Sequence, residues 1–478
     1  MRAHVIGICG TAMAGIASML KDLGLDVQGS DSTAYPPMST LLADKGIEIM
    51  SGYSPRHLDV RPDFVVVGNV ARRDNPEVVE AQRLGIPLRS MPQTIHDQFL
   101  KDRVSLTVAG THGKTSTTSL LAWIFGYAEA DPSYLVGGIP INFGSNYRLG
   151  QGPHFIIEGD EYDTAFFDKE AKFFHYDPTF AVVTSLEFDH ADMYADFPTL
   201  QRTFERFVAL VPPEGSLAYC ADYAVLDEVM KHCRSRRLSY GFSTHADIRV
   251  VDFESGPSGT RFELAEASGE RRTLHIRQWG RHNVLNATAA FAIAREMGLS
   301  APVIVEGLAT FKGVVRRFQT VASEGGVTII DDFAHHPTAV RETIMATRSR
   351  FPEARIFAVY HFASNTSRRK LFEEDYAQAF PGADQVFLTY PLQKSDDLKP
   401  EDYLDPEVVV RGIETYAEKA QAFADFDEMA EAMAAELRPS DVVIAMSGRD
   451  LSPLYEALLA RLRKRSSATD ELSRARGH

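Results

Sequence analysis

The chain has 478 residues, 44% of them apolar and 24% charged, with a formal net charge of −15. At roughly 150 residues per domain, this length predicts three domains. The acidic balance argues against a general nucleic-acid-binding or anionic-membrane-binding protein, and no run of about 20 uninterrupted apolar residues predicts a transmembrane helix. Cys9, Cys220 and Cys233 lack zinc-type spacing, which indicates reduced thiols in a cytoplasmic protein.

The first hundred residues alternate short apolar strands with helices, a pattern typical of a Rossmann-like α/β domain around a parallel sheet. The predicted strands are residues 4–8, 26–31 and 64–68, and the predicted helices are residues 12–23 and 77–84. The turn Gly7-Ile-Cys-Gly10-Thr-Ala-Met-Ala-Gly15 precedes Asp31 by about 20 residues. It resembles a dinucleotide-binding loop without matching it, so a nucleotide site and a tight strand-to-helix connection both stay open.

One motif in the middle of the chain is more informative than any other. An apolar, β-branched run leads into Gly110-Thr-His-Gly-Lys-Thr115 and then into a helix-compatible segment. This order places backbone N–H groups and a helix N-terminus around an anion, with Lys114 reaching outer phosphates and the Thr115 hydroxyl reaching Mg²⁺. The spacing departs from the common Walker motif, because Val108 rather than Gly stands five residues before Gly113. We predict that the chain uses ATP.

Acidic clusters follow the next two predicted strands. The strands are residues 155–158 and 180–184, and the clusters are Glu158-Gly-Asp-Glu-Tyr-Asp163 and the group Glu187, Asp189 and His190. Because ligands collect beyond the carboxyl ends of parallel strands, we expect both clusters to meet Lys114 and Thr115 at one phosphate–metal site. A solvated loop is the alternative for the first cluster taken alone, but three coincident strand ends are harder to explain by chance.

The rest of the chain predicts a small antiparallel unit, an Ala-rich helix and a third α/β unit. These are residues 247–276, residues 283–297, and the strands 327–330, 356–360, 385–389 and 442–446. Asn283 and Asn286 share a helix face or form a cap. Of the adjacent Arg316 and Arg317, we expect one to grip a phosphate while the other packs or pairs. The run Asp331-Asp-Phe-Ala-His-His-Pro337 favours nucleotide or substrate contacts over zinc.

Taken together, these motifs resemble the Mur ligase family, ATP-dependent ligases of peptidoglycan metabolism. The resemblance extends from residue 1 to about residue 465 and rests on motifs in the family's order. They are Gly110–Thr115, Glu158–Glu161, Glu187–His190, Gly280–Asn286, Arg316–Phe318 and Asp331–Pro337. It implies an α/β protein with a Rossmann-like, UDP-N-acetylmuramate-binding domain (1–100), a P-loop-type central ATPase domain (101–318), a Rossmann-like C-terminal domain contacting peptide and ATP (319–465), and a polar tail (466–478).

The family's reaction implies roles for individual residues. The lactoyl carboxylate of UDP-N-acetylmuramate attacks the γ-phosphate of ATP, and an amine then displaces phosphate from the acyl phosphate, so positioned cations supply most of the catalysis. Lys114, Glu158, His190 and Arg317 would be catalytic, and Thr115, Glu158 and His190, the last as neutral imidazole, would hold Mg²⁺. ATP would contact Gly110, Thr111, His112, Gly113, Lys114, Thr115, Ser116, Asn283, Arg317 and Asp332. The UDP-sugar would contact Gly10, Thr11, Ala12, Met13, Gly15 and Asp31.

Two branches of the family act on UDP-N-acetylmuramate, one adding L-alanine and the other a recovered tripeptide, L-alanyl-γ-D-glutamyl-meso-diaminopimelate. Tyr35-Pro-Pro-Met38 and the segment Ser364, Asn365 and Thr366 resemble the tripeptide branch, and that segment would bind the peptide. The resemblance thus implies a cytoplasmic enzyme of peptidoglycan recycling that uses ATP and Mg²⁺, with small-molecule substrates and neither nucleic-acid nor membrane partners. The sequence does not indicate an oligomeric state.

Departures from the family pattern keep two alternatives open. His361-Phe362-Ala363 stands in place of Glu-Pro-Arg, Ser447-Gly448-Arg449-Asp450 replaces a glycine-richer loop, and Ser185 replaces an Asn. Because the first two lie where the peptide would be read, an L-alanine ligase and a ligation-deficient nucleotide-binding sensor are the alternatives. The intact catalytic set argues against the sensor. Since Arg317 must cross a domain boundary to meet ATP, we also expect domain closure on binding.

The C-terminal tail carries a basic cluster. It consists of Arg461, Arg463, Lys464 and Arg465 in an otherwise polar stretch. We predict a solvated, frayed end here rather than a binding arm.

Overall fold

The computed structural model describes residues 1–478 except residues 70, 395–397, 418 and 477–478, and it describes no side chains beyond residue 465. Over the described residues, the chain forms three β-sheets with helices packed against them. This architecture confirms the predicted α/β class with three units. Short 3₁₀ turns lie at Pro55–Leu58, Lys172–His175, Met230–His232, Lys370–Phe372 and Pro400–Asp402, and a π-helical turn at His96–Leu100.

The N-terminal sheet is parallel throughout. Its strands are β1 (Arg2–Ile6), β2 (Asp26–Asp31), β3 (Glu48–Ser51), β4 (Phe64–Val67) and β5 (Leu88–Ser90), and its helices are α1 (Thr11–Asp22), α2 (Met38–Asp44), α3 (Pro76–Leu84) and α4 (Met91–Ile95). The order β3-β2-β1-β4-β5 reverses direction between β1 and β4, and open α/β sheets bind ligands beyond the strand ends at such a point. The predicted first strand runs two residues too far, because Gly7 turns the chain with a φ of 77°.

The middle sheet is the largest and has the phosphate-loop strand near its centre. Its strands are β6 (Val104–Ala109), β7 (Ser133–Leu135), β8 (Tyr147–Arg148), β9 (His154–Glu158), β10 (Phe180–Val183), β11 (Ser216–Cys220), β12 (Arg236–Gly241), β13 (Ile248–Gly256), β14 (Gly259–Glu266) and β15 (Arg271–Ile276). The helices are α5 (Lys114–Tyr127), α6 (Phe197–Val208), α7 (Ala224–Val229), α8 (Arg281–Glu296) and α9 (Ala301–Thr310). The order is β15-β14-β13-β12-β11-β10-β6-β9-β7-β8. The predicted antiparallel unit is present, but it extends this sheet because β13 pairs with β12.

The C-terminal sheet is parallel except for its first strand. Its strands are β16 (Gln319–Glu324), β17 (Val327–Asp332), β18 (Ile356–Tyr360), β19 (Gln385–Thr389), β20 (Lys419–Phe423) and β21 (Val442–Met446), and its helices are α10 (Pro337–Arg350), α11 (Glu373–Ala377), α12 (Pro406–Ile413), α13 (Phe426–Glu436) and α14 (Ser452–Arg476). The order is β16-β17-β21-β18-β19-β20, with β16 antiparallel to β17. The bounds of β18, β19 and β21 are those predicted, while β17 extends two residues further, through Asp332.

The prediction that the tail is frayed from about residue 461 is wrong for the part that lies in α14. Residues 452–476 form α14, which buries Leu458 and Leu462 in the core of the C-terminal domain. In the basic cluster, Arg461 pairs with Asp427 and Glu431 of α13 and Arg463 pairs with Glu324. The helix therefore persists because one face packs and the other is neutralised. Residues 477–478 lie outside the described residues.

None of the described helices combines the length and the apolar character needed to cross a membrane. Cys9, Cys220 and Cys233 are free thiols.

The two tryptophans of the chain occupy different environments. The Trp279 indole N–H donates to the Gly256 carbonyl at 2.8 Å, and the ring packs against Phe318, with the Arg350 guanidinium 4.0 Å from its centroid. Trp123 lies within the middle domain, where it donates to a carbonyl at the end of α9. Trp279 thus marks the boundary between the middle and C-terminal domains, whereas Trp123 does not.

A buried polar network joins the strands of the N-terminal sheet to α3. The carboxylate of Glu77 is fully buried and accepts from Ser30 Oγ at 2.6 Å. It also lies 3.1 Å from His4 Nε2 and 2.6 Å from His57 Nδ1. Burial alone would raise the pKa of Glu77, but the hydrogen bonds from His4, Ser30 and His57 outweigh burial and lower it. The network therefore favours folding with Glu77 ionised.

Glu77→Gln is expected to make the free energy of unfolding of the N-terminal domain depend less steeply on pH in the acidic range. Because the pKa of Glu77 is lower in the folded state, its contribution is complete above its ordinary value of 4.5 and is lost as the pH falls through the folded pKa. At pH 7 we expect a loss of about 2 kcal/mol, since hydrogen bonds to a charged group contribute that much. Hydrogen exchange of the β2 and α3 amides measures it. Glu48→Gln, at an exposed position of β3 in the same sheet, is the control; parallel profiles for the Glu77 variant and wild type would contradict the prediction.

Candidate active site

The turn between β6 and α5 has the geometry predicted for a phosphate-binding loop. Gly110 and Gly113 have φ angles of 130° and 81°, which favour glycine. A Cβ at Gly110 would collide with Thr184 Oγ1, and one at Gly113 with Asn286 Oδ1. The first turn of α5 follows at once with Lys114. Strand, turn and helix N-terminus therefore follow the predicted order, and a helix N-terminus after a glycine turn suits an anion.

The ammonium group of Lys114 is buried and paired. Its Nζ donates to Glu161 Oε2 at 2.8 Å and to the Gly110 carbonyl at 2.7 Å. Burial would lower the pKa of Lys114, but Glu161 and Asp160 outweigh burial and raise it. Glu161 belongs to the acidic run that was expected to meet Lys114, but it was not singled out as the partner of Lys114. Its position three residues after Glu158 was the feature that could have indicated this. A phosphate that binds Lys114 must displace this carboxylate.

Glu158 meets Thr115 as the strand-end argument predicted. The Thr115 hydroxyl donates to Glu158 Oε1 at 2.7 Å, and the Gly137 N–H donates to Oε2 at 2.8 Å. Burial and the neighbouring Asp160 raise the pKa of Glu158 against the opposing effect of Lys114. A cation beside Glu158 would therefore favour its ionised form.

The neighbouring carboxylates have partners of their own. Asp160 lies 2.9 Å from the Lys172 ammonium, and Glu161 faces Lys114 and His190. Glu158 is hydrogen-bonded to Thr115 and Gly137. A carboxylate and a hydroxyl oxygen are ligands that Mg²⁺ accepts, so Glu158 and Thr115 fit that ion.

His190 pairs with a carboxylate of the acidic cluster. Its Nε2 lies 3.4 Å from Glu161 Oε1, and its backbone has a φ of 55°. Burial would lower the pKa of His190, but the Glu161 hydrogen bond and the charge of Asp189 outweigh burial and raise it to about 9. A metal ion would compete with this proton, and the role of His190 as a metal ligand stays a prediction.

The adjacent arginines at the domain boundary have separate environments, as predicted. Arg317 Nη2 lies 3.3 Å from Thr115 Oγ1, and its guanidinium stacks on Phe333 at 4.8 Å. Arg316, with a φ of 60°, bonds instead to Asp331 and to backbone carbonyls of the loop that follows β21. Arg317 therefore faces the phosphate loop from the next domain, and Arg316 holds the C-terminal domain together.

The loop after β10 anchors the rest of the phosphate loop. Thr111 Oγ1 donates to the Glu187 carbonyl at 3.0 Å, and the His112 N–H donates to Ser185 Oγ at 2.8 Å. Ser185 thus supplies an anchor where an Asn stands in the family. Ser116 is half-buried in the first turn of α5.

Two residues predicted to contact ATP have bonds within the protein. Asn283 Nδ2 donates to the Trp279 carbonyl at 2.9 Å, and Asn283 Oδ1 accepts from Asn286, so the two share a helix face and neither caps α8, whose N-cap is Gly280. The carboxylate of Asp332 accepts from the N–H groups of Phe318 and Ala334, both at 2.7 Å. Asp332 thus holds the boundary segment, and its contact with ATP stays a prediction.

The N-terminal turn is attached to the middle domain. Asn146 Nδ2 donates to the Thr11 carbonyl at 2.9 Å, and Gly15 packs so closely that a Cβ would lie 2.8 Å from Leu135. Met13 is buried. Met13 and Gly15 thus face the protein interior, and their contacts with the UDP-sugar stay a prediction. Gly10, Thr11 and Ala12 lie at the turn itself, where contacts with the UDP-sugar stay a prediction.

Asp31 stabilises this turn from the end of β2. Its carboxylate accepts from the Cys9 N–H at 2.9 Å and from the Thr33 N–H at 3.3 Å. It therefore lies beside the turn, where a contact with a nucleoside stays a prediction.

The segment Ser364–Thr366, predicted to bind the peptide substrate, forms hydrogen bonds with the middle domain. Thr366 Oγ1 donates to Asp189 Oδ1 at 2.6 Å in a buried contact, and Asn365 Nδ2 donates to Asp192 at 2.9 Å on the surface. Ser364 Oγ accepts from the Ser367 N–H within its own loop. With their hydrogen bonds directed across the boundary, Asn365 and Thr366 are interdomain contacts, and their assignment to peptide binding stays a prediction.

Thr366→Val is expected to favour separation of the middle and C-terminal domains. The substitution removes the hydrogen bond that the buried carboxylate of Asp189 accepts from Thr366 and leaves the longer 3.9 Å contact with His335, at a cost of about 2 kcal/mol. Small-angle scattering of the unliganded variant should give a larger radius of gyration than wild type. Asn365→Ala, which removes the exposed contact of the same loop, is the matched control and should scatter like wild type. Identical curves for all three proteins would contradict this role of Thr366.

The two departures in the C-terminal domain contact each other. His361 Nδ1 lies 3.2 Å from Ser447 Oγ, which also accepts from the Arg449 N–H. Burial, with a smaller contribution from Arg449, lowers the pKa of His361 to about 4. Phe362 and Ala363 are buried. His361–Ala363 thus pack against Ser447, at the start of the loop that Arg316 holds. The family pattern has an Arg at position 363, and the neutral His361 does not replace its charge.

Models of one family match the three parts of the chain in order. The model described as Mur ligase family, catalytic domain, matches residues 2–101. The Mur ligase middle domain matches residues 108–294, and the Mur ligase, glutamate ligase domain, matches residues 316–449.

Individual relatives are similar over nearly the full length. The chain is 36% identical over 470 residues to the UDP-N-acetylmuramate–L-alanyl-γ-D-glutamyl-meso-2,6-diaminoheptandioate ligase of Escherichia coli K12, covering 98% of this chain and 100% of that protein. It is 34% identical over 461 residues to a UDP-N-acetylmuramate–L-alanine ligase of Anaeromyxobacter sp. Fw109-5, covering 96% and 98%. A crystal structure of a murein peptide ligase from Psychrobacter arcticus 273-4 has a TM-score of 0.73 at 30% identity, covering 97% and 98%.

Proposed function

The chain belongs to the Mur ligase family of ATP-dependent ligases, and we propose that it joins L-alanyl-γ-D-glutamyl-meso-diaminopimelate to UDP-N-acetylmuramate in peptidoglycan recycling. The observation that carries the proposal is the approach of Arg317 to Thr115 across the domain boundary. It brings a cation of the C-terminal side to the phosphate loop of the middle domain, where an ATP γ-phosphate would lie. The full-length similarity to a tripeptide ligase supports the choice of substrates.

The residues of the cleft suit transfer of a phosphoryl group to a carboxylate. In the first step, a lactoyl carboxylate oxygen attacks the γ-phosphorus of ATP, the bond to the β,γ-bridging oxygen breaks and ADP leaves, and negative charge spreads over the γ-phosphate oxygens. Lys114 would exchange Glu161 for these oxygens, and Arg317 would approach them from the other domain. Mg²⁺, held by Thr115 and Glu158, would supply Lewis-acid stabilisation of the same phosphate. In the second step, the amine attacks the acyl phosphate and phosphate leaves.

The choice between the two amines depends on the C-terminal domain. The relatives that add L-alanine and those that add the tripeptide are similarly close to this chain, at 34% and 36% identity. The stretch Tyr35-Pro-Pro-Met38 favours the tripeptide branch, whereas His361 and Ser447 replace residues where the peptide would be read. We propose that the tripeptide is accepted through contacts other than those of the replaced segments.

Phosphate release from ATP and UDP-N-acetylmuramate tests the proposal, with L-alanine or the tripeptide added separately and the product identified by mass. Release that depends on the tripeptide, with a UDP-muramoyl-tripeptide product, supports it. Release with L-alanine alone would move the protein to the biosynthetic branch. No release with either amine, despite ATP binding, would favour a ligation-deficient nucleotide sensor and make His361–Ala363 the first segment to restore.

A further inference from the structure

Side chains of His112, Glu187 and His336 gather where the phosphate loop meets the start of α10. Their ligand atoms all lie within 4.8 Å of one another. His112 Nε2 is 2.9 Å from Glu187 Oε2, and His336 Nδ1 is 3.6 Å from the same oxygen. The two imidazole centroids are 4.7 Å apart. Two nitrogens and one oxygen thus surround a common point, contributed by the middle domain and the C-terminal domain.

The separations suit metal coordination. Bonds of about 2.0–2.1 Å in a tetrahedral site place neighbouring donor atoms about 3.3 Å apart, and the two measured separations lie on either side of that value. Glu187 and His336 also line a cavity of about 290 Å³ together with Arg341, Phe372 and other residues. This cavity gives room for a water molecule as a fourth ligand.

The backbone holds the ligands in place. His112 is anchored through its N–H to Ser185, and the Glu187 N–H donates to Thr111 Oγ1 at 2.9 Å. His336 Nε2 lies 3.2 Å from the Phe188 carbonyl, the kind of contact that orients a metal-binding imidazole through its other nitrogen. Its Nδ1 accepts only a 3.3 Å hydrogen bond, from the Thr338 N–H, which a metal would replace.

The donor set separates this site from the Glu158 site. Imidazole suits Zn²⁺, Co²⁺ and Ni²⁺, whereas Mg²⁺ prefers oxygen ligands in an octahedron. We propose that His112, Glu187 and His336 form a transition-metal site, with Zn²⁺ as its typical occupant, that fastens the phosphate loop to the C-terminal domain. Bound metal would hold the two domains together and hinder the opening that turnover requires, so Zn²⁺ would act as an inhibitor.

Co²⁺ titration of the full-length protein tests the site, because Co²⁺ in a four- or five-coordinate site absorbs in the visible range. A millimolar excess of Mg²⁺ is present throughout. Wild type should show a saturable band, and His336→Asn, which keeps a helix-capping residue, should weaken Co²⁺ binding at least about tenfold, the usual effect of losing one metal-site interaction. Glu187→Gln should do the same, and Zn²⁺ should raise the Tm of wild type but of neither variant.

His190→Gln and His245→Gln are the controls, the first for the Glu158 site and the second for an exposed histidine. Both should keep the band. The proposal is overturned if wild type shows no band, if the band survives in His336→Asn and Glu187→Gln, or if it disappears in His190→Gln. These readouts are independent of which amine the enzyme accepts.

Discussion

Lys114→Met is expected to lower kcat by about 10³-fold and to destabilise the protein by about 3 kcal/mol. The kinetic loss follows because a preorganised charge at a reacting phosphate contributes up to that factor. The loss of stability follows because Glu161, with 2% of its side chain exposed, is left with only His190 as a partner, and breaking a buried ion pair costs that much. Phosphate-release kinetics and chemical denaturation measure the two effects.

A double variant separates the loss of kcat from the loss of stability. Lys114→Met combined with Glu161→Gln removes the uncompensated carboxylate, so it should regain most of the stability and none of the activity. Lys172→Met is the control, since its buried ammonium pairs with Asp160 in the same cluster but does not belong to the phosphate loop. Lys172→Met should lower stability, but it should lower kcat less than Lys114→Met does. Recovery of ligation in the double variant would show that Lys114 acts only through the fold.

Arg317→Ala is expected to lower kcat by about 10²–10³-fold while leaving the Tm almost unchanged. Its guanidinium makes one 3.3 Å contact with Thr115 and stacks on Phe333, so little of the fold depends on it. Its proposed role is to stabilise charge on the transferring phosphate, and one such donor contributes that factor. Single-turnover phosphate release measures the chemical step. Arg317→Lys should restore only part of the rate, since an ammonium cannot reproduce the planar guanidinium fork.

Arg316→Ala is the matched control because it removes the same group one residue away. Arg316 bonds to Asp331 and to the Ser447 and Arg449 carbonyls, so we expect a lower Tm with a smaller change in kcat. If instead the two variants lost kcat equally at unchanged Tm, the assignment of separate roles would be wrong.

The sequence predicted best those parts that depend on local pattern. The strands β18 and β21 are continuous apolar runs, β19 has an apolar centre between Gln385 and Thr389, and all three are buried at every position, as is typical of parallel strands covered on both faces. The contact between Thr115 and Glu158 followed from the rule that the ends of neighbouring parallel strands meet at one edge. β6 and β9 are indeed neighbours in the sheet.

The sequence predicted least where side chains choose between partners of different domains. Thr366 and Asn365 matched a family motif, but their partners lie more than 170 residues away. The partner of Lys114 was likewise missed, because no spacing rule says which of three nearby carboxylates a buried ammonium selects. The chain from about residue 461 looked polar, and the packing of α14 against α13, which no local pattern shows, accounts for the helix there.

The placement of the tryptophans gives the protein a built-in optical reporter. Trp279 contacts Phe318 and Arg350, so its emission depends on how the C-terminal domain sits against the middle domain. Trp123 bonds only within the middle domain and supplies an internal reference. In a Trp123→Phe background, a single tryptophan remains, which can be excited selectively over the 17 tyrosines. Its quenching or spectral shift would follow domain rotation in stopped-flow experiments without any attached dye.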